Sequence, residues 1–474
     1  MAGARSIVVV GGGVGGLAAA IRLRVRGHDV TVHERHDVPG GKLSVLKRDG
    51  FSFDVGPSLV TLPHVYDELF RVAGTSLADE VDLVRLDPQF RYRWPSGRTL
   101  DVADAGCDVP GWADFVARGR TIWEVSERTF FAGPMSGPWS LTRRMRRPRD
   151  LLDIDPLRTL HEAAEAAFGD DREMAQWAGR YATYSGSSPY RAPATLACIA
   201  HVEHEYGCWY PMGGLGALRD AFVRVAERVG VRIECASEVR SVIATADAVR
   251  GVQLADGRIE HADVVVANAD ATHLYRDLLP DAGALRAVRR ATPSTSGFVI
   301  CAGVRGRTPD ITHHGIWFSR SYRREYDDLD AGRLPDDPTI YACVSSVTDA
   351  SQAPAGDENW FLLVNVPSGA AIDRDAATNH VLGRLADHGV DLRGRLACTE
   401  TITPADLERR FRSPGGSIYG TSSDGRRAAF VRPRNRGARR GLYLVGGSSH
   451  PGGGLPLVTL GARIVDEMID RDLR

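Results

Sequence analysis

Residues 7–35 read IVVVGGGVGGLAAAIRLRVRGHDVTVHER, and the spacing of the glycines in this stretch decides the fold. Four β-branched residues, 7 to 10, predict a buried parallel strand. An alanine-rich run follows the glycines and predicts a helix. Gly11 permits the tight turn, Gly13 lets the backbone approach a pyrophosphate, and Gly16 lets helix and strand pack closely, with Gly15 inside the same turn. The free N–H groups of the helix then face the phosphates. A second strand, 29–33, ends on Glu34, where a carboxylate can accept hydrogen bonds from an adenosine ribose. A glycine turn without a ligand would need neither the second strand nor the acid. The stretch therefore predicts a dinucleotide site.

A chain of 474 residues exceeds one hydrophobic core, and 43% apolar residues suffice for two or three domains. A net charge of −1 and a pI near 6.9 argue against a general nucleic-acid binder. Lys42 and Lys47 are the only lysines, which leaves little room for lysine-based chemistry. The seven cysteines, at 107, 198, 208, 235, 301, 343 and 398, show no paired spacing and read as reduced thiols. Neither a signal segment nor a membrane span is legible, so the expected location is cytoplasmic with at most peripheral membrane contact.

Dinucleotide-domain texture recurs twice. Residues 212–267 predict a helix at 216–229 and strands near 231–235, 239–245, 249–254 and 263–267, while 442–474 predict a strand, a glycine loop and a helix from 457. The intervening stretches differ in character. Residues 106–211 mix Trp, Phe, Pro and Arg with helical runs at 157–168 and 192–206. The resulting expectation is α/β: a Rossmann-type cofactor domain from 1–105, 212–290 and 415–474, interleaved with an α+β substrate domain from 106–211 and 291–414. With one dinucleotide fingerprint and no second, a permanently held FAD is expected rather than NAD as cosubstrate, and electrons must leave to oxygen, a quinone or another acceptor.

Nine segments together carry a resemblance: GGGVGG (11–16), PGGK (39–42), DVGPS (54–58), IDPLRTLHEAAEAAF (154–168), RYATYSGSSPYRAPATLA (180–197), HEYGCWYPMGGLGAL (204–218), ANAD (267–270), GSIYG (416–420) and GLYLVGGSSHPGGGLP (441–456). The chain resembles the bacterial phytoene desaturase family of FAD-dependent carotenoid desaturases, and within it the hydroxycarotenoid 3,4-desaturase branch. The resemblance implies a glutathione-reductase or amine-oxidase-like FAD domain. It implies that Glu34 holds the ribose, Lys42 the diphosphate region and Val239 the adenine, and that Gly446, Gly447, Leu455, Pro456, Leu457 and Val458 line the flavin. Arg35, Gly41, Gly56, Pro57, Ser58 and Asn268 join the same set. Where many proteins of this larger fold carry an Asp for the ribityl chain, this chain has Gly447-Ser448-Ser449-His450.

Desaturation removes a hydride from one carbon and a proton from its neighbour, so a base is sought. The cluster HVEHEY offers His201, Glu203 and His204, each of which also fits a structural role. A metal site is not expected there, because the His201/His204 pair lacks a third ligand at helical spacing. Tyr181, Tyr184 and Tyr190 read as tunnel wall. The segment WSLTRRMRRPR, 139–149, reads either as a solvated basic loop or as a membrane-contact segment. The leading expectation is desaturation of a hydroxylated or methoxylated acyclic carotenoid. Its rivals are a carotenoid cis/trans isomerase, oxidation of a smaller natural-product intermediate, and a non-catalytic prenyl-lipid binder.

Overall fold

The computed structural model describes residues 3–103, 106–135 and 137–474. The β-branched run forms strand Ser6–Val10 at the centre of a five-stranded parallel sheet. Asp29–His33 and Arg232–Glu234 lie on one side of it, Val264–Ala267 and Leu442–Leu444 on the other. Side chains alternate along the central strand. Ile7 and Val9 enter a core with Leu17 and Ile21 of helix Val14–Val25 and Ile464 and Val465 of helix Leu455–Leu473. Val8 and Val10 enter another with Val242, Val252 and Leu254 of an antiparallel sheet, Val239–Ala244, Val249–Leu254 and Ile259–His261. Both faces are covered, which is why the strand is apolar at consecutive positions. Each such side chain stabilises the fold by roughly 1.5–3 kcal/mol relative to exposure.

The second sheet has seven strands in the order Leu396–Ile402, Ser296–Val304, Glu358–Val366, Ile340–Cys343, His314–Trp317, Phe90–Arg93 and Thr99–Val102. All neighbours are antiparallel except the pair His314–Trp317 and Phe90–Arg93. All nine residues of Ser296–Val304 are buried. The last two strands come from the segment that the sequence division groups with the cofactor domain, yet they hydrogen-bond into this sheet; the boundary at 105 itself lies outside the described residues.

Helices Trp112–Thr129, Leu160–Phe168, Arg172–Gly179 and Cys198–Tyr206 cover the Phe90–Arg93 end of that sheet. Trp112 and Trp177 stack at 4.2 Å between them. The helix expected over 157–168 starts at Leu160 because Thr159 and Glu162 close a capping box. Among the described residues no helix is long and apolar enough to cross a membrane.

Candidate active site and dinucleotide cradle

The phosphate turn is built by exclusion of side chains. A Cβ on Gly16 would stand 2.3 Å from the Gly11 carbonyl oxygen, so helix and strand can pack this closely only with glycine. Cβ atoms on Gly13 and Gly15 would meet the Asn268 side chain at 2.7 and 2.9 Å. Asn268 donates to the Gly11 carbonyl at 3.2 Å, which ties the end of strand Val264–Ala267 to the turn. Helix Val14–Val25 has no side-chain cap and no acid in its first turn, so its leading N–H groups are open to an anion.

Glu34 is buried beside this turn. Its Oε2 accepts the Gly12 N–H at 2.8 Å and its Oε1 the His36 N–H at 2.9 Å. A carboxylate has about four acceptor sites, so one lone pair on each oxygen is left for two vicinal hydroxyls. Backbone 234–239 runs alongside, with Ser237 N–H donating to the Glu34 carbonyl at 2.8 Å, and Val239 is buried at its end. Arg35 turns the other way and donates to the carbonyls of Arg409, at 2.9 Å, and Arg410.

Gly41, Lys42 and Gly56 pack against this turn through their backbone, whereas Ser58 bonds to Tyr341 and Leu457 packs into a separate apolar cluster. A Cβ on Gly41 would lie 3.2 Å from Gly13 Cα, and one on Gly56 would overlap the Lys42 carbonyl at 1.7 Å, so backbone packs on backbone through 13, 41, 42 and 56. Lys42 Nζ donates to the carbonyls of Ser417 at 3.1 Å and Ile418 at 2.5 Å. Burial pushes its ammonium down to about 8, against the opposing pull of Asp270. In the C-terminal loop, a Cβ on Gly446 would meet Asn268 Oδ1 at 2.8 Å, and Gly447 faces Gly453. Ser448 Oγ accepts from Ala271 N–H at 2.9 Å and Ser449 Oγ donates to the Gly446 carbonyl at 3.1 Å, so the serines that replace the expected Asp brace the loop. Helix Leu455–Leu473 begins after Gly454 with no side-chain cap and with Pro456 in its first turn. A second uncapped helix N-terminus thus favours negative charge at its end.

Leu457 and Leu460, in the first turns of that helix, pack into the apolar cluster that holds Trp177, Tyr181, Tyr184, Ile199 and Tyr206. Two polar groups interrupt this cluster. One is a chain in which Ser58 Oγ and Tyr341 OH share a hydrogen at 2.5 Å and Tyr341 OH meets His314 Nδ1 at 2.9 Å. Burial holds the His314 imidazole well below its ordinary value, which keeps it neutral. The other is Arg180, paired with Glu203 at 3.3 Å and bonded to Tyr92 OH at 2.6 Å, with Tyr184 OH donating to the same Glu203 oxygen.

The three residues considered as bases therefore part company. Glu203 joins the Arg180 group, His201 is buried 6.2 Å from the Tyr206 ring with its imidazole pushed down by burial, and His204 approaches Gly106. Among the described residues a metal-capable trio lies elsewhere: ligand atoms of His313, His314 and Cys343 fall within 4.8 Å of one another. Burial lowers both imidazoles, His313 to about 3, and raises the thiol, so an ion there would have to displace the thiol proton against desolvation. Tyr341 and the histidine doublet escaped sequence reasoning because only the sheet register, His314 opposite Cys343 and Ile316 opposite Tyr341, brings them together, and Arg180 meets its partners through packing across the fold. The doublet in HHGIWF was the available signal.

Residues 14–459 match the model of the flavin containing amine oxidoreductase family. The chain is 34% identical over 490 residues to 4,4'-diapolycopene oxygenase of Methylomonas sp, covering 99% of this chain and 98% of that protein. It is 31% identical over 493 residues to 4,4'-diaponeurosporene oxygenase of Staphylococcus aureus (strain USA300), covering 99% of each. A putrescine oxidase structure shares the fold at a TM-score of 0.68 and 14% identity, over 99% of both chains. The glycine turn and Glu34 require an adenine dinucleotide and the family requires a flavin, which together specify FAD. The chain belongs to the flavin containing amine oxidoreductase family and is an FAD-dependent oxidoreductase.

Proposed function

We propose that this enzyme oxidises an acyclic carotenoid, removing two hydrogens from neighbouring carbons near an oxygen-bearing end of the polyene. The observation that carries the reading is that Leu457 and Leu460, in the first turns of the uncapped helix Leu455–Leu473, share one apolar cluster with Trp177, Tyr181, Tyr184 and Tyr206. The full-length relatives named as carotenoid oxygenases support it. FAD, when bound, supplies the two-electron acceptor for the hydride.

The chain's own residues do the rest. Gly11 to Gly16, Glu34 and Lys42 fix the dinucleotide, the aromatic cluster orients the polyene, and water takes the proton, since burial disfavours protonation of His314. Oxygenation at the same end is a second reading, favoured by the relatives' names. Mass analysis of the product separates them: loss of two hydrogens supports desaturation, gain of one oxygen supports oxygenation, and an unchanged mass overturns both.

The basic segment 139–149 serves in this reading as a contact with the membrane that stores the substrate. Trp139 is 80% exposed, and in the residues that follow it Leu151, Leu152 and Leu157 and also Arg143, Arg146, Arg147 and Arg149 are exposed. Exposed apolar side chains and exposed arginines in one short segment match an anionic lipid surface. Arg144 has a different task, since its guanidinium donates to the carbonyls of Thr129, Gly133 and Pro134 at 2.8–3.0 Å.

A further inference from the structure

His314 and Cys343 stand opposite one another in the antiparallel pair His314–Trp317 and Ile340–Cys343, so their side chains leave the sheet on the same face. Adjacent residues of a regular strand point to opposite faces. His313 nevertheless reaches the same place, because the strand begins only at His314 and the residue before it is free of the pleat. The two imidazoles cross at 67° with centroids 4.6 Å apart, and the rings of Tyr210 and Phe90 lie against them at 4.7 and 5.1 Å. All three residues are buried, with one ligand atom of each within 4.8 Å of the other two.

Both imidazoles are held by one nitrogen only. His313 Nδ1 lies 2.7 Å from Thr348 Oγ1 and His314 Nδ1 lies 2.9 Å from Tyr341 OH, whereas both Nε2 atoms are buried without a hydrogen-bond partner among the described residues. A hydroxyl oxygen can accept from Nδ1–H, but an Nε2–H would have nothing to donate to, so the hydrogen belongs on Nδ1 and each Nε2 presents a bare lone pair. One nitrogen oriented by a hydroxyl and the other left open is the arrangement of a metal-ligating histidine. Burial lowers both imidazoles, so protons do not compete for those lone pairs.

An ion needs no cavity beyond the gap between its ligands. Inside a triangle whose sides do not exceed 4.8 Å, some point lies within about 2.8 Å of every corner, and small ring rotations bring this to the roughly 2.0–2.3 Å of metal–nitrogen and metal–sulfur bonds. Ligand count and charge then choose the ion. Two imidazoles and a soft thiolate suit Cu(I), whereas Zn2+ asks for a fourth ligand. Burial keeps the Cys343 thiol protonated, and a monovalent ion replaces that proton one for one, leaving the buried charge unchanged. A divalent ion would add a charge among Phe51, Phe53 and Phe361.

We propose that His313, His314 and Cys343 form a metal site that takes one Cu(I) ion in exchange for the Cys343 thiol proton. Tyr341 and Thr348 are its positioning residues, acting through the Nδ1 atoms. The site does not depend on which substrate the enzyme oxidises.

The test is anaerobic titration of the FAD-loaded enzyme with Cu(I) in competition with a colorimetric chelator. Because the site is closed, the ion is supplied both to the folded protein and during refolding with FAD. One tightly held ion per chain is expected, with one proton released at pH 7 to an indicator dye. Cys343→Ser should abolish both, while a variant with Cys107, Cys235 and Cys398 all changed to Ser keeps them, which separates this site from adventitious copper on the less buried thiols. Tyr341→Phe removes the oxygen that orients His314 and should weaken binding about ten- to a hundredfold, a response that copper held on thiols alone would not show. The unfolding midpoint of each metal-free variant is the control for folding. Zn2+ in excess should leave the bound Cu(I) in place. Absence of a bound ion after both loading routes, retention of the ion by Cys343→Ser, or its displacement by Zn2+ overturns the proposal and leaves the carotenoid reading as it stands.

Discussion

Glu34 Oε2 accepts the amide hydrogen of Gly12 at 2.8 Å, joining the end of the second strand to the glycine turn across 22 residues. That bond fixes the carboxylate's orientation and leaves a lone pair on each oxygen, which in the proposed reading take the ribose hydroxyls. Glu34→Gln keeps the size of the side chain but replaces one acceptor oxygen with a donor. FAD affinity should fall by about ten- to a hundredfold, the range for losing one or two charge-assisted hydrogen bonds. Equilibrium dialysis against FAD checks it, with the unfolding midpoint of the apoprotein serving as control.

Gly16→Ala places a methyl group against the Gly11 carbonyl, where 2.3 Å is available. Either helix Val14–Val25 or strand Ser6–Val10 must shift. A cost of about 1–3 kcal/mol is expected from overpacking, together with loss of bound flavin on purification. Denaturant unfolding measures the first and the visible spectrum the second. A fully flavinylated, equally stable variant would contradict the packing described.

Buried histidines should make the protein acid-labile. His450 donates through Nε2 to the Gly133 carbonyl at 3.1 Å, and burial pushes its imidazole down to about 4; His313 is pushed to about 3. Both values lie below that of the unfolded chain, near 6.5, so the unfolded state binds more protons and stability falls as pH drops from about 6.5 toward the folded values. The loss at pH 5 is about 2 kcal/mol for each group. Stability measured between pH 7.5 and 5 should decline accordingly, and His450→Gln should reduce the slope. A flat profile would mean these imidazoles are not held neutral.

Replacing Arg143, Arg146 and Arg147 by Gln, with Arg144 retained, should weaken partition onto anionic liposomes by about 3 kcal/mol, on the order of a hundredfold. Trp139→Ala should weaken binding to neutral and anionic liposomes alike. Flotation assays distinguish the two effects. Changing Arg144 instead should lower stability, because three carbonyl oxygens would lose their donor.

The sequence made the parallel sheet legible because its signals are local: β-branched runs, positive-φ glycines and an acid at a strand end all act within about thirty residues. The strands at 29–33, 239–244 and 249–254 and the helix at 215–228 fall where periodicity put them. The seven-stranded sheet was not legible in the same way. Phe90–Arg93 joins His314–Trp317 across more than two hundred residues, and no local pattern encodes that pairing. The polar groups of the substrate side share this difficulty, since Arg180 meets Glu203 and Tyr92, and Tyr341 meets Ser58, through tertiary packing alone. Arg35 stands in the cofactor set that the resemblance implies, yet its guanidinium donates to the helix-terminal carbonyls of Arg409 and Arg410.

Anaerobic addition of a hydroxyl-ended acyclic carotenoid to the FAD-loaded protein, followed by visible spectroscopy, tests the central claim most directly. The account predicts bleaching of the oxidised flavin bands in step with conversion of the carotenoid, and recovery of those bands when oxygen or a quinone is admitted. A flavin that stays oxidised while the carotenoid is bound would contradict it.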